Sequence, residues 1–355
     1  MKSEETRVIL AKGILAPSAD NLQPWKFRIL DNRVDFFLDL NRVKNFCDEG
    51  LLVPYISAGA VIENMRIAAT QFGYRLSASY FPEKTNPLLV AAIRFSEAKK
   101  ENHPHVEALA LRTTNRKFYN VSKKIDSSIY STLSNIAESE QKLKLLWIER
   151  NHPSYSKLSG ILGKSDQLRF ESKRLHKELF ETLRFTKEMA EKTKDGLDFK
   201  TFESGPMGGL LFSLANSWER LKFLNTLGLS TLFNFYTRFQ MQSSQAAGLL
   251  IAKSNEPLDY ALGGEMMQKI WHEITNFKLS IQPMEALPIF IINLGITGGR
   301  DFTALQRKKL EELKQEFLSI FGITEQNGLI FLFRIGDAPP PTAHSLRRPL
   351  EHFLL

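Results

Sequence analysis

Two arginines four residues apart, Arg112 and Arg116, lie in the octapeptide RTTNRKFY with Thr114 and an amide between them. Guanidinium groups are permanently charged and present planar forks that match phosphate oxygens, so this density of donors suits a phosphate carrying a polyol. The same residues also suit an ordinary solvated helix start with Thr113 or Thr114 as its cap. A second stretch, PSADNLQPWKF from Pro17 to Phe27, puts Ser18, Asp20, Asn21 and Gln23 into a loop stiffened by Pro17 and Pro24, with Trp25 available to anchor it. Rigid loops bearing amides suit a flat heterocycle with several acceptors; an Asx-turn closing a helix, with Trp25 as core, is the structural alternative. Near the C-terminus, Arg347 and Arg348 follow the proline-stiffened PPPTAHSL, where adjacent guanidiniums either converge on one phosphate or carry surface charge. In QPMEA, residues 282–286, a strand ends at Pro283, and the backbone around Met284 and Glu285 is available to face a ligand.

The usual reactive constellations are missing from the sequence. There is no acid–base pair, no nucleophile elbow, no GxxxxGK[ST] and no GxGxxG after a strand. Glu188 with Glu191 belongs to a charged helix face. Cys47 is the only cysteine, which excludes an intrachain disulfide and a cysteine-based metal site, and the seven histidines lack metal-ligand spacing. No catalytic side chain and no metal are therefore expected. Polar cradles with few reactive groups point to a bound cofactor that performs the chemistry.

With 355 residues the chain exceeds one average domain, so two domains or one fused double domain are expected. A net charge of +8 suits a protein holding anionic cofactors, and its cations are interspersed with acids without a run of five or six, which argues against nucleic acid. The charged start MKSEETR has no apolar signal core behind it, and with a single cysteine a cytoplasmic setting is expected. The Leu- and Phe-rich segment 209–235 is interrupted by Glu219, Arg220, Lys222 and Asn225, short of the roughly 18 uncharged residues a membrane span needs. It is expected to be amphipathic, with no stable membrane insertion.

The elements that must position these residues follow from periodicity and turn signals. Thr6 to Leu15 predicts a helix. KFRIL and RVDFFLDL predict a hairpin around Asp31-Asn32, Leu52 to Phe72 a second helix stopped by Gly73, and Arg75–Phe81 and Leu88–Phe95 two strands. The polar run 96–105 marks a boundary between an N-terminal half, 1–105, and a C-terminal half, 106–355. The second half predicts a helix over 126–139, the strand LKLLWIE, one long charged helix over 153–191, and a lid-like insertion over 192–242 with glycine breaks. The apolar segment AAGLLIA, a helix over 257–277, the segment KLSIQPMEALP, the strand IFIINLG, a helix over 304–321, the strand LIFLFRIG and a basic tail follow. An internal repeat at an offset of about 205 sets Gly59, Thr70 and Phe72 opposite Gly264, Thr275 and Phe277, each within a helix followed by a strand, and implies two halves sharing an interface.

These motifs together resemble the nitroreductase family of FMN-dependent oxidoreductases. Arg112, Thr114, Arg116 and Phe118 match its RRSxRxF-type motif. Pro17, Ser18, Asn21, Gln23, Pro24, Trp25 and Phe27 match its PSxxNxQPWxF loop. Pro283, Met284, Glu285 and Ala286 are similar to its P-x-E-G segment, with Ala286 replacing the glycine, and Arg347 or Arg348 to its basic C-terminal phosphate contact. In ordinary members the arginine motif precedes the QPW loop in one chain, and two chains form a dimer with two FMN sites. Here the order is reversed across the two halves, which resembles the fused, dormancy-associated and ThiF-associated subgroups. The resemblance implies an α+β fold, with two sheet-and-helix halves forming an internal pseudo-dimer around one complete FMN site. It implies that Arg112, Thr114, Arg116, Arg347 and Arg348 reach the phosphate, ribityl chain and pyrimidine edge, and that the loop with Ser18, Asn21 and Gln23 reaches the ring from the other half. It further implies backbone amides near Glu285 beside the ring, NAD(P)H as donor, and a small-molecule acceptor such as a nitroaromatic or quinone. A chain of this kind acts as a monomeric pseudo-dimer, or as a higher oligomer through the insertion. Two other readings are a flavin-sequestering protein with a closed lid and little turnover, and a hydrophobic segment that docks a partner or membrane.

Overall fold

The computed structural model describes residues 3–43 and 45–355, so the first two residues of the charged start lie outside the described residues. In the first half, α1 (Ser3–Gly13) leads into β1 (Trp25–Leu30) and β2 (Arg33–Leu38), then α2 (Leu52–Thr70), β3 (Tyr74–Tyr80) and β4 (Leu89–Glu97). Leu30 pairs with Arg33 across the Asp31-Asn32 turn, the two-residue connection that suits a twisted hairpin. Gly73, at φ +77°, turns the chain out of α2 in the left-handed region that glycine adopts without strain. The four strands form one antiparallel sheet in the order β1-β2-β4-β3.

In the second half, α3 (Ala108–Leu111), α4 (Ser127–Glu138) and β5 (Leu143–Glu149) are followed by a long helical excursion before the chain returns to the sheet. The excursion comprises α5 (Tyr155–Glu171), α6 (Lys173–Thr182), β6 (Leu183–Arg184), α7 (Lys187–Thr193), β7 (Leu197–Asp198), α8 (Gly205–Ala215), α9 (Trp218–Thr226) and α10 (Leu229–Gln242). The chain then forms β8 (Ala246–Ala252), α11 (Pro257–Asn276), β9 (Ser280–Pro283), α12 (Ala286–Thr297), α13 (Ala304–Phe321) and β10 (Gly328–Gly336). Its sheet runs β5-β8-β10-β9. In each half the four strands therefore take the spatial order first, second, fourth, third, with the long helix between the second and third. The expected α+β architecture of two sheet-and-helix halves is present.

The halves meet where α2 crosses α11. A Cβ at Gly59 would stand 1.9 Å from the carbonyl oxygen of Ala261, and one at Gly264 would stand 2.0 Å from that of Ile56. Ile56 and Ala261 are separated by the same offset as the two glycines, so each helix offers its glycine to the equivalent turn of the other. This reciprocal exchange is what a two-fold axis imposes on an isologous contact. Beside it the buried Gln268 Nε2 donates to Asn64 Oδ1 at 2.8 Å. The C-terminal tail returns to the first half, where Leu355 N donates to the Phe27 carbonyl at 2.8 Å and Phe353 packs against Trp25.

Three elements differ from expectation. IFIINLG is helical, within α12: its apolar run has no period that separates a buried strand from a buried helix, Pro288 sits in the first turn where its missing N–H is harmless, and Gly298 at φ +64° ends the helix. The charged helix over 153–191 is broken at Ser172, which is extended at φ −105° and ψ 123°, and again after Thr182. Charges at helical spacing continue through the break; the kink serves to bring Phe170, Leu179 and Leu183 into a common core with Phe212, Leu221 and Phe233. The segment 192–242 is thus the distal part of a longer helical annex, 150–245, between the adjacent strands β5 and β8.

Adding a methyl group at Gly264 forces backbone apart from backbone. Gly264→Ala should lower the unfolding free energy by roughly 1–3 kcal/mol, whereas an alanine at Gly160, on α5 with open space around it, should raise it by roughly 0.5–1 kcal/mol. Chemical denaturation of the two variants checks this, and equal stabilities would contradict the close approach.

Candidate cofactor site

One cavity of about 490 Å³ opens between the halves and the annex, within the size range of small-molecule and cofactor sites. The loop after α1 contributes Ser18, Asp20 and Asn21; the stretch after α3 contributes Arg112, Thr114 and Arg116; and the end of β9 contributes Pro283, Met284 and Glu285. Met267 and Trp271 of α11, Arg347 of the tail, and Asp166, Phe212 and Phe233 of the annex also line it.

RTTNRKFY is a loop. Its amide fixes it: the buried Asn115 Nδ2 donates to Ser280 Oγ at 3.0 Å and to the Pro339 carbonyl at 2.9 Å, and Asn115 N donates to the Ile281 carbonyl. Arg112 then lays its guanidinium over the Trp271 ring at 4.6 Å and donates to the Leu15 carbonyl at 3.3 Å. Its buried Nε has no partner among the described residues. Desolvation first, and then the nearby Arg347, lower the Arg112 pKa to about 9; desolvation lowers that of Arg347 to about 10. Both remain charged at neutral pH, and neither has a carboxylate among the causes of its shift. Two cations held together without a counter-charge create a standing preference for an anion.

Arg347 is tied by six acceptors that include the Ile14, Leu15 and Ala16 carbonyls just beyond α1, where the helix dipole favours positive charge, and Asn21 Oδ1 at 2.8 Å. Arg116 donates to the Thr201 carbonyl at 3.1 Å and lies over the Phe202 ring, joining the loop to the annex. Burial lowers the Arg116 pKa and raises that of Asp20, while the two charges oppose those shifts.

The QPW loop holds three non-glycine residues in the left-handed region, Asp20, Asn21 and Gln23, which costs energy and requires firm anchoring. Ser18 Oγ accepts from Gln23 N at 2.9 Å, and Asn21 Nδ2 donates to the Gly196 and Leu346 carbonyls. Gln23 Nε2 donates to the Lys194 carbonyl at 2.8 Å and its Oε1 accepts from Arg348 N. The amide groups thus fasten the annex and the tail to the first half. Gln23 does not line the cavity, and neither does Arg348, whose guanidinium lies over Phe353.

At the third wall, Glu285 Oε1 accepts from Leu332 N at 2.7 Å, and burial raises its pKa to about 8. Arg334 was not apparent as a site residue; its only signal is one charge inside the apolar run of β10. It is fully buried and stacks on Tyr119 at 3.8 Å. It donates to Gln282 Oε1, the Gln240 carbonyl, Ser244 Oγ and the Lys117 carbonyl, joining the arginine loop to β9 and α10.

No family model matches the sequence. The uncharacterized protein MT1398 of Mycobacterium tuberculosis (strain CDC 1551) is 23% identical over 347 residues, 97% of this chain and 47% of that protein. A protein of the same organism, provisionally named the NAD(P)H nitroreductase acg, is 35% identical over 104 residues, 28% of this chain and 31% of that protein. The chain thus spans about half the length of the first relative, and its match to the second is partial. Among solved structures, the FMN-dependent nitroreductase NfnB from Mycobacterium smegmatis in complex with NADPH is similar at a TM-score of 0.38 and 12% identity, over 70% of this chain and 96% of that one. A nitroreductase-like family protein from Bacillus cereus gives 0.36 and 13%, over 72% and 96%.

The raised pKa of Glu285 has a thermodynamic consequence. Between its ordinary value of 4.5 and about 8 the folded chain holds a proton there that the unfolded chain has released, so the associated stability is complete below pH 4.5 and is lost as pH rises through 8. Glu285→Gln keeps an acceptor for Leu332 N and cannot ionise. Its unfolding midpoint should fall less steeply than that of the parent between pH 5 and about 8.5; parallel profiles would contradict the assignment.

Proposed function

We propose that the chain is an FMN-dependent oxidoreductase of nitroreductase type, which draws electrons from NAD(P)H and delivers them to a nitroaromatic or quinone-type acceptor. The observation that carries the proposal is Arg112: a shielded cation with an orphaned Nε, facing Arg347 in a cavity that both halves line. The donor set fits the group. Arg112 with Arg347 would hold the phosphate, the Thr114 and Ser18 hydroxyls the polyol, and Arg116 with the backbone of residues 283–286 the ring edge. The bound flavin would supply the two-electron chemistry. The chain's own part is to orient the ring, exclude water with the Phe-rich annex, and keep a proton on Glu285 at neutral pH. The partial relative named a nitroreductase supports the same reading. The two halves, with one strand order and a reciprocal helix contact, would take the place of two subunits.

A second reading, a flavin-sequestering protein with little turnover, is favoured by how firmly the annex is fastened. Arg42 of the first half pairs with Asp195 at 2.8 Å, Arg116 binds Thr201, and Glu203 accepts from Thr342. Anaerobic mixing of the FMN-loaded protein with NADH or NADPH separates the two. Rapid bleaching supports the enzyme, and a flavin that stays oxidised supports sequestration.

Each charge-assisted hydrogen bond removed from bound FMN, whether at its phosphate by Arg112 or at its ring edge by Arg116, is worth roughly 1.5–3 kcal/mol. Arg112→Ala with Arg116→Ala should therefore raise the FMN dissociation constant by roughly a hundredfold or more, with far-ultraviolet circular dichroism unchanged. Undiminished binding in the double variant would refute the site.

A further inference from the structure

Helix α10 is apolar on two opposite sides. Its inner side, through Phe233, Tyr236, Thr237 and Gln240, lines the cavity. On its outer side Leu232, Phe235 and Phe239 recur at the spacing of a single stripe and are 47%, 46% and 62% exposed. Phe223 of α9 and Leu227 of the turn into α10 add side chains that are 65% and 73% exposed. A helix on the outside of a soluble domain ordinarily turns polar residues to water, so a row of exposed phenylalanine and leucine marks a surface that meets another apolar phase.

The charges around the stripe say which phase. Residues 205–242 carry three cations, Arg220, Lys222 and Arg238, against one acid, Glu219, so positive charge predominates. All three cations are exposed, and the Arg238 guanidinium lies over the Phe235 ring at 6.0 Å. Beside Arg238 a surface depression is bordered by Lys157, Lys164 and Glu316, with Glu316 paired to Lys157 at 3.7 Å. A second copy docked through this face in an isologous contact would set this net-positive patch against an identical net-positive patch. An anionic lipid surface complements that patch and accepts the rings at the boundary between headgroups and acyl chains. Among the described residues no helix is long and apolar enough to cross a membrane, so the contact would be interfacial.

We propose that the outer face of α9 and α10 seats on an anionic bilayer, with Phe223, Leu227, Leu232, Phe235 and Phe239 in the interface and Arg220, Lys222 and Arg238 at the phosphate level. Docked in this way, the cavity is one helix away from lipid. The inference does not depend on the flavin assignment.

Co-sedimentation of the full chain with phosphatidylglycerol-containing vesicles and with pure phosphatidylcholine vesicles tests it. The parent should pellet with the anionic vesicles at least ~10-fold better than with the neutral ones, and Phe235→Ser with Phe239→Ser should reduce that binding at least ~10-fold with its unfolding midpoint retained. Lys222→Glu with Arg238→Glu should lose it likewise. A parent chain that stays in the supernatant overturns the proposal. So does a phenylalanine double variant that binds like the parent, since net charge alone would then account for binding. A parent dimer in sedimentation velocity that the same double variant dissociates also overturns it, because a second copy would then cover the face.

Discussion

The approach of α2 to α11 sets the geometry on which the rest depends. At Gly59 and Gly264 there is no side chain between the helices, and each glycine lies against a carbonyl of the other helix. Close-packed backbone tolerates little displacement, so this contact fixes the distance and orientation of the two sheets. The same two helices line the cavity, through Val53, Ile56 and Ser57 on one and Met267 and Trp271 on the other. The spacing of the helices therefore sets the width of the cleft, and the loops that enter it come from both halves.

Three inward-facing arginines resolve their burial differently. Arg334 is surrounded by oxygen acceptors and an aromatic face, and it acts as a hub for the second half. Arg347 is saturated by carbonyls at the end of α1. Arg112 alone of the three is left short, with one carbonyl, one ring face and an unsatisfied Nε. A buried cation lacking partners is costly unless something completes its shell. The cost is concentrated beside Arg347 and at the mouth of the composite loop system, where an anionic group would relieve it.

Much of this order was legible in the sequence because it is local or periodic. The hairpin around Asp31-Asn32 and helices α4, α11 and α13 follow from alternation, helical spacing and turn chemistry. The 205-residue offset that places Gly59 opposite Gly264 is a signature of the helix crossing itself. What was not legible depends on distant partners. The strand expected at IFIINLG is a helix because the surrounding core, and not its own period, decides its form. The break at Ser172 exists to complete a phenylalanine core contributed by residues far along the chain. Asn21 and Gln23 are polar residues of a distinctive loop, as read from the sequence, but they bind Gly196, Leu346, Lys194 and Arg348, none of which a local reading connects to them. Arg334 stood in an apolar strand with no neighbour in sequence to explain it.

The unsatisfied charge at Arg112, reinforced by Arg347, would anchor the phosphate of the proposed flavin nucleotide. Comparing FMN with riboflavin by calorimetric titration tests it directly, because the two ligands share the ring and the polyol and differ only in the phosphate. FMN should bind tighter by roughly a hundredfold or more, as one or two charge-assisted hydrogen bonds would give. Equal affinities for the two ligands would contradict it.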